Sequence, residues 1–261
     1  MAYRTLQIEP MGLSVAYHRR GHGEPLLYCH PILSTPTGDP LLEALATAFD
    51  VLAPYAPGWG PSTDLETLAG PLDVALFYHD FLQALHIGSA HLLGISIGAW
   101  MAAELAAIFP ERVRKLVLVN PMGIWREEMP GADPFAQHPL RPTEVLFAEP
   151  TLRERLLLHG RDHTEVYLHE VHDLKAAAHF LWPIPDTGVA KRLRRISAPT
   201  LIVVSERDKV VVPAYGSLWQ QAIADARLTT LAGAGHLANL EQPEVLAQVA
   251  TAFLQERDGS V

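Results

Sequence analysis

The seven residues GISIGAW, 94–100, stand between the apolar run AHLL and the helix-patterned AWMAAELAAIFP. A serine with glycines two positions before and after it, at a change from strand to helix, suits a sharp turn that exposes Ser96 at a strand's end. The pentapeptide serves equally as a plain tight turn, so its meaning depends on the rest of the chain.

On both sides of it short apolar runs alternate with stretches of helical period. LLYC, DVLAPY, AHLLGIS, VRKLVLVNP, PTLIVVSE and RLTTLAG read as buried strands of a parallel sheet. DPLLEALATAF, DVALFYHDFLQAL, GAWMAAELAAIFP, VPAYGSLWQQAIA and QPEVLAQVATAFLQE carry apolar residues three and four apart, as crossover helices do. TLQIEP and LSVAYHRR alternate strictly and predict an antiparallel hairpin at the sheet's edge. The fold class is therefore α/β: a mostly parallel twisted sheet with helices on both faces.

The alternation lapses over residues 122–195, where Pro-rich loops and helical fragments replace any β run. A stretch that long after a strand's C-terminal end predicts a helical cap over a ligand site. The expected organisation is core at 1–121, cap or lid insertion at 122–195, and core again at 196–261.

Composition narrows the function. The chain has 261 residues, 49% of them hydrophobic, and a net charge of −9 from 20 basic and 29 acidic side chains. With no cluster of Lys and Arg to neutralise phosphates, nucleic acid is not an expected partner. MAYRTLQIEPMG has neither a leader pattern nor a membrane span, which predicts a cytoplasmic protein away from membranes. Cys29 is the single cysteine, so no intrachain disulfide or thiolate metal cluster can form; it reads as a buried strand residue. A small-molecule substrate is the expected partner, with a homo-oligomer left open.

A serine needs a base to become a nucleophile, and the base needs an acid to orient it. Among 13 histidines, His236 lies in LAGAGHLANLEQP, a Gly-rich loop after the last strand run. Asp208 follows the preceding strand in PTLIVVSERDKVVVP, with Glu206 as the neighbouring alternative. The order Ser96, Asp208, His236 differs from that of the chymotrypsin and subtilisin triads. An oxyanion site needs two backbone N–H groups: Ile97 supplies one, and in YCHPILSTPTGDP, where Pro31 has none, Ile32 supplies the other. His30 would line the floor of the site or tie down the loop. Trp125, Phe180, Trp182 and Leu237 are candidate pocket residues, and cap packing explains the aromatic ones equally. His169 and His172 could share a helical face, but no metal-ligand spacing accompanies them, so neither metal nor cofactor is expected.

These residues resemble the α/β-hydrolase fold family. GISIGAWMAAELAAIFPERVRKLVLVNPMG looks like its elbow, helix and next strand, APYAPGWGPS its proline-glycine loop, and PTLIVVSERDKVVVP and GAGHLANLEQPE its acid and histidine loops. The resemblance implies catalytic roles for Ser96, Asp208 and His236. Pro31 stands where the family's oxyanion loop usually has glycine, and Tyr55 where an acidic residue is common. A serine nucleophile argues against the dehalogenase and epoxide-hydrolase branches, which use aspartate. The expected function is a serine carboxylesterase acting on a small or medium, largely apolar substrate. The alternatives are a carbon–carbon hydrolase of the meta-cleavage type and a ligand-binding protein on the same scaffold. The meta-cleavage branch typically adds a cap arginine, for which Arg126, Arg153, Arg155 and Arg161 are available, and a Trp after the histidine, where this chain has Leu237.

Overall fold

The computed structural model of the protein describes residues 3–34, 38–138, 141, 143–183 and 185–256; residues 35–37 of the candidate oxyanion loop lie outside this set. The chain runs β1 (Arg4–Ile8), β2 (Leu13–Arg20), β3 (Glu24–Cys29), α1 (Pro40–Leu45), β4 (Phe49–Pro54), α2 (Pro71–Ala84), β5 (Ala90–Ile95), α3 (Ile97–Ile108) and β6 (Val113–Val119). After the insertion, with α4 (Pro150–Arg153) and α5 (His163–Leu181), come β7 (Thr200–Ser205), α6 (Tyr215–Ala222), β8 (Ala226–Leu231), α7 (Ala238–Glu241) and α8 (Pro243–Gln255).

The eight strands form one sheet in the order β1-β2-β4-β3-β5-β6-β7-β8. β1 and β2 pair antiparallel, β2 joins β4 antiparallel, and every later pair is parallel. Continuous apolar runs follow from burial on both faces. Cys29, Leu92, Leu118 and Ile202 belong to the core shared with α2, α3 and α6, while Tyr28, Leu93, Val117 and Val203 belong to the one shared with α1 and α8. β8 departs from the sequence reading. It is an edge strand with β7 alone beside it, and most of its residues are only partly covered.

The parallel strands all end on one side, and the loops leaving β3, β5, β6, β7 and β8 meet there. Two glycines let α3 start against that edge. A Cβ on Gly98 would lie 2.2 and 2.3 Å from the carbonyl oxygens of Cys29 and His30, and one on Gly94 would lie 2.4 Å from the Gly98 carbonyl. His30 then secures the loop after β3: Nδ1–H donates to the Pro31 carbonyl at 2.8 Å, and Nε2 accepts from the Ala56 amide at 3.1 Å. Burial holds the ring neutral and pushes its pKa down to about 4.

Between β6 and β7 the insertion is clasped at its neck by a bridge of Gly123 with Asp186 and by the Thr187 amide on the Gly123 carbonyl at 3.1 Å. Farther on, Arg192 makes a two-pronged ion pair with buried Glu104 of α3, both contacts 2.6 Å, while the Trp100 indole N–H donates to the same carboxylate. Among the described residues no helix is long and apolar enough to cross a membrane.

Two expected outcomes follow from this edge. Gly98→Ala forces backbone apart at the α3 start, an overpacking cost of about 1–3 kcal/mol, so a thermal melt should drop by roughly 3–10 °C. A melt at the parent temperature would contradict the close approach. The second concerns His30, whose folded-state pKa is depressed. The unfolded chain takes a proton as pH falls from 6.5 toward 4 and the folded chain does not, so the neutral ring's contribution is present above pH 6.5 and lost below it. His30→Gln should be less stable than the parent at pH 7, and the gap should narrow by about 2 kcal/mol at pH 5 in urea titrations. A gap independent of pH would refute the buried neutral ring.

Candidate active site

Ser96 joins β5 to α3 at φ 59° and ψ −123°, a conformation that side-chain-bearing residues seldom adopt. Its amide is held by the Val119 carbonyl at 2.8 Å, and its carbonyl accepts from Ala99 at 3.1 Å and Met122 at 3.3 Å. The hydroxyl Oγ lies 2.7 Å from His236 Nε2 and 3.4 Å from Met122 Sδ. Of these two acceptors an imidazole nitrogen is the stronger.

His236 Nδ1 lies 2.7 Å from Asp208 Oδ2. Asp208 Oδ1 accepts from the Val210 and Val211 amides at 2.8 and 2.9 Å, so its carboxyl group is fixed on both sides. An ionised carboxylate can only accept, which puts the imidazole proton on Nδ1 and leaves the Nε2 lone pair facing Ser96. The chain of bonds is enclosed: Ser96 and His236 are 0% exposed and Asp208 4%. Glu206, the other candidate acid, instead accepts from the Gly233 amide at 2.8 Å.

Ile97 begins α3, so its N–H is one of the helix's unsatisfied donors. Ile32 is buried, and its carbonyl accepts from the Trp59 indole at 3.1 Å. Neither amide meets an acceptor among the described residues.

A cleft of about 600 Å³, including its mouth, adjoins Met122 and continues between the insertion and the acid loop. Its walls include Ile124, Trp125, Phe135, Leu181, Val211 and Tyr215, and among the described residues they contain no Lys, Arg or His. Asp133 is the one carboxylate there, and it accepts from the Phe135 amide at 2.7 Å. Trp125 thus sits in the cleft wall. The other candidates lie elsewhere. Phe180 packs on Trp59 and Trp100, ring centres 6.4 and 5.5 Å away, and fastens α5 to the core. Trp182 is 56% exposed, edge-on to Phe135. Leu237 is fully buried in the core, its N–H on the Leu146 carbonyl at 3.2 Å. His30, with both ring nitrogens engaged, lines a separate notch with His18, Tyr28, Asp39 and Tyr55.

The four candidate arginines of the insertion separate as well. Arg153 is buried against Glu170 at 2.6 Å, Arg126 donates to the Trp125 carbonyl, and Arg155 lies on an outer surface cleft. Arg161 lines a narrow cleft with Leu33, Ser34, Leu157 and His169, beside the Ile32 loop. His169 and His172 flank Asp173 at 3.3 and 3.6 Å. No group of three His, Cys, Asp or Glu side chains suited to a metal ion occurs among the described residues.

Asn120 escaped sequence reasoning. It is buried at φ 46° after β6, its side-chain oxygen accepts from the Ser205 amide at 2.8 Å, and its nitrogen donates to the His236 carbonyl at 3.0 Å. It binds the ends of β6 and β7 to the histidine loop. A polar residue closing an otherwise apolar strand was the available signal.

Comparison with known proteins agrees with this architecture. The model of the alpha/beta hydrolase family matches residues 21–249. A 2-hydroxy-6-oxo-6-phenylhexa-2,4-dienoate hydrolase of Comamonas testosteroni is 31% identical over 195 residues, 67% of this chain and 66% of that enzyme. A 2-hydroxy-6-oxononadienedioate/2-hydroxy-6-oxononatrienedioate hydrolase of Klebsiella pneumoniae is 30% identical over 241 residues, 83% and 79% of the two chains. Among solved structures, the enol-lactonase from Burkholderia xenovorans superposes with TM-score 0.76 at 21% identity, covering 98% of this chain and 100% of that one. A meta-cleavage product hydrolase from Pseudomonas fluorescens gives 0.79 at 19% identity, over 96% and 97%. With strand order, elbow and sequence match in accord, the chain belongs to the alpha/beta hydrolase family of hydrolytic enzymes.

Proposed function

We propose that the protein hydrolyses a neutral carboxylic ester with a small or medium, largely apolar acyl or alcohol part. The observation that carries this reading is the apolar cleft walled by Met122, whose Sδ lies 3.4 Å from Ser96 Oγ; its described walls offer no cation to a charged substrate. Ser96 Oγ attacks the ester carbonyl as His236 Nε2 takes its proton. Asp208 holds the imidazole in the required tautomer and stabilises it once charged. The Ile32 and Ile97 amides receive the oxyanion, where one such donor is worth about 10²–10³ in rate. His236 returns the proton to the departing alcohol, and water ends the cycle by the same steps in reverse order of partners. Residues 122–195 act as a cap that closes the cleft.

A second reading is hydrolysis of a carbon–carbon bond in a carboxylate-bearing dienol ketone. It is favoured by the activities named for the two relatives above and by Arg161 beside the Ile32 loop. Leu237 in place of a Trp weighs against it.

Turnover of p-nitrophenyl esters from acetate to octanoate should peak at a medium chain, and Ser96→Ala should lower kcat by at least about a thousandfold. Unchanged turnover by that variant would eliminate the serine mechanism. To separate the two readings, the yellow absorbance of a phenyl-substituted dienol diketone is followed with parent and Arg161→Gln. The ester reading expects no bleaching by either chain and equal ester turnover by both. Rapid bleaching that Arg161→Gln abolishes would replace it with the carbon–carbon reading.

A further inference from the structure

Ser34 follows Ile32 by two residues, and each of its polar groups is gripped by one helix of the insertion. Its amide and hydroxyl donate to Asp173 Oδ2 at 2.6 and 2.8 Å, and its carbonyl accepts from His169 Nε2, one turn earlier on α5. Asp173 is fully buried, while its other oxygen, Oδ1, has no hydrogen-bond partner. His172 Nδ1 stands off that oxygen at 3.6 Å, and His169 Nε2 lies 3.3 Å from Oδ2. Burial pushes the Asp173 carboxyl up to about 7. When a proton binds, Oδ1 is the oxygen free to carry it, and Oδ2 keeps both donors.

A buried carboxyl is a costly way to pack a helix on a loop, since an apolar residue would cover the same surface without desolvating a polar group. What a carboxyl adds is direction: one oxygen orients an amide and a hydroxyl together. Upstream, the core holds the loop through His30 on Pro31 and Ala56, and through Trp59 on the Ile32 carbonyl. Two residues of chain span at most about 7 Å, so Ser34 is the near anchor of Ile32 on its downstream side, as His30 and Trp59 are upstream. Phe180 and His179, whose Nε2 meets the Leu68 carbonyl at 2.9 Å, seat the same helix farther along.

We propose that Asp173 is a positioning residue that holds the Ile32 amide in its oxyanion-binding orientation through Ser34, so that the insertion must be seated before an acyl carbonyl is activated. The inference rests on the reading of Ser96 as nucleophile and Ile32 as donor. It makes the insertion a working part of the oxyanion site and not only a cover.

The test compares parent, Asp173→Ala, Asp173→Asn and Ser34→Ala on the best p-nitrophenyl ester. Each chain is also titrated with phenylboronic acid, whose tetrahedral serine adduct needs the oxyanion donors, and melted to establish folding. Expected are a kcat loss of at least tenfold in Asp173→Ala with KM within threefold, and a matching fall in boronate affinity. Asp173→Asn, which keeps an acceptor oxygen, should lie between it and the parent, and Ser34→Ala, which loses the hydroxyl contact but keeps the amide one, should show a smaller loss of the same kind, in kcat and boronate affinity and not in KM. If Asp173→Ala does not fold, the same split in Asp173→Asn, at least threefold in kcat and in boronate affinity, decides. Parent-like kcat and boronate affinity in the folded Asp173 variants would overturn the proposal, as would a loss confined to KM. A parent chain that neither turns over esters nor reacts with a fluorophosphonate would overturn the serine reading itself, and the positioning role with it.

Discussion

A serine backbone at φ 59° is unfavourable by itself, and it persists only where its surroundings leave no alternative. Here the surroundings are other backbones. Gly94 and Gly98 allow α3 to begin in contact with the ends of β3 and β5, at distances that no Cβ tolerates. The Val119 carbonyl fixes the Ser96 amide from the next strand. This close approach decides where the rest of the site can be. It aims Oγ away from the sheet, turns the first N–H groups of α3 toward the same space, and brings the loop bearing Ile32 alongside.

Each other component reaches that space from its own strand end. Asp208 leaves β7, His236 leaves β8, and Asn120 at the end of β6 joins the end of β7 to the histidine loop by hydrogen bonds to the Ser205 amide and the His236 carbonyl. The imidazole is thus located by its main chain as well as by the carboxylate on its ring. The insertion is fastened by different forces: the paired charges of Arg192 and Glu104, the stacked rings of Phe180 and Trp59, and the polar grip of Asp173 and His169 on Ser34. Removing Arg192 would leave the buried Glu104 carboxylate without its paired charge, a costly loss. The enclosed arrangement is therefore well defined.

The core was legible because its physics is local. Burial on both faces makes a strand largely apolar, so β3 to β7 announced themselves; β8, at the edge, carries Arg227, Thr229 and Thr230 and is only partly covered. The elbow was legible for the same reason, since two glycines around a serine between strand and helix answer a demand made within five residues. Contacts between distant segments left no such trace. Ser34 and Asp173 are 139 residues apart, and neither has a neighbour in sequence that foretells the other. Phe180 and Trp182 share a helix end and an aromatic character, yet one packs on the core and the other faces outward, because helical period does not say which side the core will take. His30 by position could line the site or tie down its loop, and its ring nitrogens engage Pro31 of that loop and Ala56 of the loop after β4.

The complete enclosure of the Ser96 hydroxyl bears on which nucleophile can finish a reaction begun there. Under the proposed serine mechanism an ester of Ser96 would form inside this enclosure, opened only by the volume that the departing group vacates. Whatever attacks it next must fit that vacated volume, and water is the smallest nucleophile available. Hydrolysis would then prevail over transfer to bulky alcohols through size exclusion, and widening the enclosure would shift the partition toward synthesis of new esters.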